Sequence, residues 1–439
     1  MSAENVKVNS MNLLNSSNYN NKQAYWQSLI GLCCLLLLSL GFVASRALIS
    51  MATVVIFLNA FWPANITIVW QRFHSNRFGL WALLYLAVYL ISFFWSENKE
   101  SWLQVIQLKI PFLLLPLGMC SIPLEKPAFR KIFYIGTVII AAVTVLVSIG
   151  IFLSDWQQFV RNYKLSIPLP TTSSGDHIRF GLWLSFLVLL GFYCWHFEPG
   201  FKTSKWLKLT VWGSIALFII YIHILSAKTG LLVLYIILVG WGYYYFSQRV
   251  NRVVAWVLPL VLGTIAVIGA YQLAPTFKTK IDYVILEIKH VQAGERLNYN
   301  LSDQGRLITY DIALGKMKTN GILGTGAGDI LDVMREGYNE KYPEVPQDLR
   351  FVPINQYLLE VFAFGWILGL VPIVLMSFSL FFDRQRPGQF FIGLGALILI
   401  VSMMVEAMLQ VQMGVFVYLF LSMWLLSFKW QQLPALTKH

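Results

Sequence analysis

Apolar runs of about 20 residues recur along almost the whole chain, at 26–45, 48–70, 79–95, 102–122, 133–153, 178–196, 206–226, 229–246, 253–273, 355–381, 389–407 and 411–428. A helical run of that length matches the roughly 30 Å hydrocarbon core of a bilayer. In lipid, only a helix or a closed barrel satisfies its own backbone polar groups. The expected fold class is therefore all-α: a polytopic transmembrane helix bundle of about twelve spans with a partly helical outer loop. Composition agrees, since 57% of the 439 residues are hydrophobic and only 12% are charged. An average soluble domain has about 25% charged residues, and half that number cannot solvate a globule of this size.

Lysine and arginine divide unevenly between alternate loops. One set carries Arg72 and Arg77, Lys126, Arg130 and Lys131, Lys202 and Lys205, Arg249 and Arg252, and Arg384 and Arg386. The alternate short loops carry Arg46, Lys99, Arg161, Lys164 and Lys228. Basic residues accumulate in cytoplasmic loops, so the first set is expected inside, together with both termini. The loops 154–177 and 274–353 then face outward. The net charge of +12 reads as topology and attraction to anionic lipid headgroups, with no nucleic-acid partner.

The expected organisation is a disordered cytoplasmic tail over 1–25, helices 1–9 over 26–273, a large outer loop over 274–353, helices 10–12 over 354–429 and a cytoplasmic tail over 430–439. The tail lacks the short apolar stretch and cleavage site of a signal peptide. Cys33, Cys34, Cys120 and Cys194 lie inside apolar runs without metal-ligand spacing, so neither a metal site nor a disulfide framework is expected. Trp26, Trp70, Trp95, Trp102, Trp206 and Trp430 flank spans as interfacial anchors.

The outer loop has the pattern of ordered structure. Ile281, Val284, Ile285 and Ile288 recur at helical spacing, and a second amphipathic stretch runs from Arg306 through Ile308 and Ile312 to Met317. Its ten Lys/Arg and eleven Asp/Glu nearly balance, which argues against a general polyanion sink. Cations stand at outer span ends, where the charge bias disfavours them: Arg46, Lys109, Arg179 and Lys228, with Arg306 in the loop. Lys109 interrupts an apolar run two residues before Pro111, and an ionisable group within a span costs at least about 2.5 kcal/mol. Snorkelling to the outer interface would reduce that cost. If these cations converge, they suit an anionic substrate such as a lipid-linked phosphate or diphosphate.

Glu406 in the eleventh run is expected to pair with one of the cations, or to act directly. Asp176 and His177 precede Arg179 either as a helix-capping turn or, at His177, as a proton acceptor. The glycines of 321–328 lack the lysine and the strand–helix setting of a phosphate loop, and are expected to let backbone approach another segment.

Four stretches carry a resemblance to the O-antigen ligase and Wzy-type polymerase family. They are Ser96-Glu97-Asn98-Lys99-Glu100 with the following Lys109 helix, and Leu225-Ser226-Ala227-Lys228-Thr229-Gly230, similar to a Ser-x-Ser-Arg-Gly turn. The others are Gly305-Arg306 through Gly324-Thr325-Gly326, and Asn355-Gln356-Tyr357-Leu358 through Gly365-Trp366-Ile367-Leu368-Gly369. The resemblance implies a bacterial inner-membrane glycosyltransferase that needs no nucleotide sugar, with its large loop in the periplasm; nothing in the sequence requires a metal or cofactor. Such an enzyme passes a glycan from undecaprenyl diphosphate to a hydroxyl on lipid A-core or on a second lipid-linked glycan. It implies diphosphate binding at Lys228 and Arg306, with Arg179 near a third such position; Lys109 joins them as an outward cation. The family's histidine before Asn-x-Tyr-Leu is Ile354 here, and its acidic residue further on is Ala363. Isoleucine accepts no proton, so His177, His290, Glu360 and Glu406 are the candidate bases. A transporter or flippase for a lipid-linked or anionic solute, and an inactive scaffold of envelope-glycan assembly, are the competing expectations.

Overall fold

The protein is described here by a computed structural model covering residues 19–62, 66–75, 77–124, 126–164, 169, 171, 176–293, 297–299, 301–318, 322–381 and 388–427. Residues 1–18 of the expected N-terminal tail, the tail over 430–439, Arg384 and Arg386 lie outside the described residues. The first helix already begins at Tyr19, inside the stretch expected as tail.

All regular structure among the described residues is helical. In chain order the helices are α1 Tyr19–Ala44, α2 Arg46–Ala60, α3 Ile66–Ser75, α4 Arg77–Ile91, α5 Lys99–Lys109, α6 Pro111–Met119, α7 Pro127–Ser154, α8 Trp156–Lys164 and α9 His177–Phe197. They continue as α10 Lys205–Leu225, α11 Lys228–Phe246, α12 Arg252–Leu273, α13 Pro275–Gln292, α14 Ser302–Met317, α15 Ile330–Lys341, α16 Gln356–Phe378, α17 Gln389–Val405 and α18 Gln412–Ser427.

The chain is a multi-pass membrane protein: among the described residues, 9 helical segments are long and apolar enough to cross a bilayer. Each expected apolar run contains helix among the described residues, but α2, α17 and α18 are shorter, at 15, 17 and 16 residues. Helices α17 and α18 are short because the chain leaves the helix at Glu406, makes a tight turn over Met408–Gln410 and resumes at Gln412. Irregular backbone at membrane depth requires protein partners for its polar groups, and this turn has them, as shown below. At the centre, α9 and α18 are buried on nearly every face, as helices apolar all round should be. By contrast, α12 leaves Val253, Val257, Leu260 and Ile265 exposed and belongs to the periphery.

Two backbone features place the functional side chains. Helices α9 and α11 touch at Gly181 and Gly230, where a Cβ on Gly230 would meet Gly181 backbone at 3.1 Å. Small residues allow this approach, and it brings Arg179 near Lys228 and Thr229. Ser226 ends α10 in the left-handed region at φ 51°, a conformation uncommon for a residue with a side chain. It reverses the chain so that α11 can begin at Lys228.

The glycine stretch docks on a break in α16, as expected of backbone approaching another segment. Gly365, at φ 73° and ψ 176°, interrupts that helix. The neighbouring carbonyls then accept from the loop: Thr325 N donates to Phe362 O at 3.1 Å and Gly326 N to Ala363 O at 2.8 Å. Beyond it, Asp329 accepts from Glu97 N at 2.8 Å and Asn98 N at 2.7 Å, fastening the outer loop to the α4–α5 turn. A Cβ on Gly365 would lie 1.8 Å from Ile322 O, and the backbone region itself is nearly exclusive to glycine. Gly365→Ala is therefore expected to cost at least about 1–3 kcal/mol from the backbone alone. The loss should appear as a lowered melting temperature of the detergent-solubilised protein; an unchanged melt would refute this account of the break.

Candidate functional site

Of the five cations singled out from sequence, Arg179 and Arg306 meet on one carboxylate, and Lys228 adjoins Thr229, which also contacts it. Glu406 is 6% exposed, at the point where α17 ends. Arg306 of α14 donates through Nη2 to Glu406 Oε1 at 3.0 Å and through Nη1 to Val405 O at 2.8 Å. Arg179 Nη2 lies 3.9 Å from Glu406 Oε2, and Thr229 Oγ1 donates to Oε1 at 3.1 Å. The carboxylate thus joins the loop helix α14 to the ends of α9, α11 and α17. The pairing expected of Glu406 is present, with two arginines.

Lys228 makes the adjoining cluster. Its Nζ lies 2.7 Å from Asp303 Oδ2 and 3.1 Å from Glu287 Oε2, while Asp303 N donates to Glu287 Oε1 at 2.7 Å. Burial holds the Glu287 carboxyl above the usual range. Burial pushes Asp303 the same way, but the hydrogen bond and charge of Lys228 outweigh it and hold Asp303 below. Asp303 is thus the better anion and the weaker base of the two. A cavity of about 390 Å³ opens over this cluster, walled by Lys228, Thr229, Asp303, Arg306, Tyr310 and Val405 among others. Arg179 stands behind Glu406 and does not line it.

The cations are not bare. Arg179, Lys228 and Arg306 are matched by Asp176, Glu287, Asp303 and Glu406. This pairing orients them in a partly buried place. An anionic ligand entering the cavity exchanges places with a carboxylate on Lys228 or Arg306, both of which reach the wall.

The other sequence-derived candidates fall elsewhere. Lys109 does not snorkel outward; it is 0% exposed, and its Nζ donates to Leu409 O at 2.5 Å beneath the ring of Tyr89. The proline two residues on turns α5 into α6, and the lysine points into the bundle. Glu360 is also fully enclosed, accepting from Tyr85 at 2.6 Å, Tyr89 at 2.9 Å and Gln356 at 2.6 Å. Buried this way, Lys109 does not line the cavity for a diphosphate, nor Glu360 for an acceptor hydroxyl. His177 is the first residue of α9, and Asp176 before it caps the helix by accepting from Arg179 N at 3.2 Å, so the turn does cap. His290 near the end of α13 does not line the cavity.

Sequence reasoning missed Asp303, Glu287 and Tyr310. Asp303 precedes Arg306 by three residues and so shares its helix face, a signal that was present. Tyr310, one turn beyond Arg306, donates to Ile354 O at 3.0 Å. Ile354 is therefore tied by its backbone to the cavity wall. Among the described residues, no group of three or more His, Cys, Asp or Glu is placed to hold a metal ion.

These features define a multi-pass membrane protein with a charged cavity between its loop helices and the ends of its bundle. No protein-family profile matches the chain, and no curated protein matches it.

Proposed function

We propose that the chain transfers a glycan from undecaprenyl diphosphate to an acceptor sugar hydroxyl at the outer face of a bacterial inner membrane. The observation that carries this reading is the pairing of Arg179 and Arg306 with Glu406, and of Lys228 with Asp303 and Glu287, beside an open cavity walled by Lys228 and Arg306. In the reaction, the acceptor oxygen bonds to the anomeric carbon as the bond from that carbon to the diphosphate breaks. Charge grows on the departing diphosphate, and cations fixed in advance stabilise it without reorganising. Arg306 and Lys228 are the groups placed for that role. Glu406 orients Arg306, and the acceptor proton passes to Asp303, the carboxylate of the cluster that lines the cavity. The asymmetry of Lys and Arg between loops supports cytoplasmic termini and a periplasmic loop. The acceptor is lipid A-core or a second lipid-linked glycan, corresponding to a ligase or a polymerase.

A transporter or flippase is the second reading. The broken backbone between α17 and α18, and the buried Lys109 and Glu360, resemble the discontinuous helices and internal charges of such proteins. Deleting the gene and resolving surface glycan by gel separates them. Loss of long chains with single repeats still on the core indicates a polymerase. Core free of glycan, with polymer accumulating on the carrier at the outer face, indicates a ligase. Carrier-linked glycan retained on the cytoplasmic side indicates transport. An unchanged glycan profile sinks the transferase reading and leaves the scaffold.

A further inference from the structure

A second cavity, of about 600 Å³, opens between α15 and the segment 347–352 that follows it. The volume falls within the roughly 300–1,000 Å³ range of small-molecule sites. Tyr338, 2% exposed, builds its floor. The Tyr338 hydroxyl accepts from Phe351 N at 3.2 Å and donates to Phe351 O at 3.3 Å. This clamp leaves the Phe351 ring 49% exposed on the cavity wall. Arg350 donates through Nε to Val345 O at 3.0 Å and through Nη1 to Asn339 Oδ1 at 2.6 Å. With Oδ1 occupied, Asn339 has its two amide N–H groups left to offer. Among the described residues, neither those N–H groups nor the side chains of Gln347 and Asp348 make a hydrogen bond or ion pair.

The wall therefore combines an exposed aromatic face, two amides and a carboxylate. A sugar ring needs this mixture: each hydroxyl both donates and accepts, and the ring's C–H face packs on the electron-rich face of an aromatic. An anion fits less well, because Arg335 pairs with Asp332 at 3.4 Å, Arg350 is committed, and Asp348 shares the wall. A lipid tail fits less well because it would strip water from these polar groups without replacing it.

The cavity is also linked to the charged site by a short stretch of chain. Phe351 precedes by three residues Ile354, whose carbonyl accepts from Tyr310 on the wall of the first cavity. Three extended residues span at most about 11 Å. We infer that the cavity between α15 and Phe351 is a saccharide-binding subsite, holding the sugar portion of a glycan whose reacting end lies at the charged cavity. The inference rests on reading the chain as a glycan transferase.

The test uses the full-length protein in detergent and oligosaccharides released by mild acid from the surface polysaccharide of the source cells. Saturation-transfer NMR reports saccharide contact, and calorimetry with inorganic diphosphate reports the charged site. Wild type is expected to transfer saturation to sugar ring protons. Phe351→Ala and Asn339→Ala should weaken that binding at least about tenfold, Phe351→Tyr should retain it, and all three should bind diphosphate like wild type. Absence of saccharide contact in wild type, or contact unchanged in both alanine variants, overturns the subsite. Saccharide contact without diphosphate binding would support the subsite while counting against the transferase reading.

Discussion

Arg306→Ala is expected to lower glycan transfer by about 10²–10³-fold, the range seen when one fixed donor to a developing negative charge is removed. The loss has two sources that a second substitution separates. Arg306 holds both the Glu406 carboxylate and the carbonyl that ends α17. Without it, Glu406 remains buried with Arg179 at 3.9 Å and the Thr229 hydroxyl. Removing one partner of a buried pair is destabilising by about 3–5 kcal/mol, reduced here because Arg179 remains and the Arg306 side chain is 20% exposed. Arg306→Ala should therefore melt at a lower temperature, and Arg306→Ala/Glu406→Gln should recover much of that loss by removing the unpaired charge. Transfer should stay low in the double variant, because glutamine restores the fold without restoring a cation. Wild-type turnover in Arg306→Ala would exclude the diphosphate role. Recovery of turnover in the double variant would show that the arginine serves only to neutralise Glu406.

The bundle was legible because lipid imposes length. Runs read at 206–226 and 253–273 became Lys205–Leu225 and Arg252–Leu273, each long enough to cross the hydrocarbon core. The break at Glu406 was not legible. Val405-Glu406-Ala407-Met408-Leu409-Gln410 contains neither glycine nor proline, and what opens it are hydrogen bonds donated by Arg306 and Lys109 and one accepted by Gln356, all far away in sequence. The charged site was half legible for a related reason. Cations in or beside spans are costly and so declare themselves, whereas Asp303 and Glu287, in a loop already rich in acids, carry no such mark. The cost of Lys109 announced that it needed a partner. Which way it would turn depended on how α5 meets the 406–410 turn, and local sequence does not encode that.

Lys109 is where the second large effect is expected, and it is one of stability first. Its Nζ donates to Leu409 O, while Leu409 N donates to Gln356 Oε1 at 2.7 Å, so both sides of that residue are held from within the bundle. Gln356 donates onward to Glu360, which interacts electrostatically with Lys109. The result is a closed polar network in an apolar interior, where half-satisfied networks are worse than none. Lys109→Met fills similar volume but leaves Glu360 without its counter-charge and Leu409 O without its donor. A destabilisation of about 3–5 kcal/mol is expected, read as a large drop in melting temperature and in the folded fraction recovered from membranes. Lys109→Met/Glu360→Gln should regain much of that stability, because the buried charge is then gone from both sides. Transfer should not return with it. Leu409 O would still lack its anchor, and the turn that presents Glu406 to Arg306 would no longer be fixed from below. An unchanged melt in Lys109→Met would show that the network carries no net stability. Full transfer in the double variant would show that the turn holds Glu406 in place without Lys109.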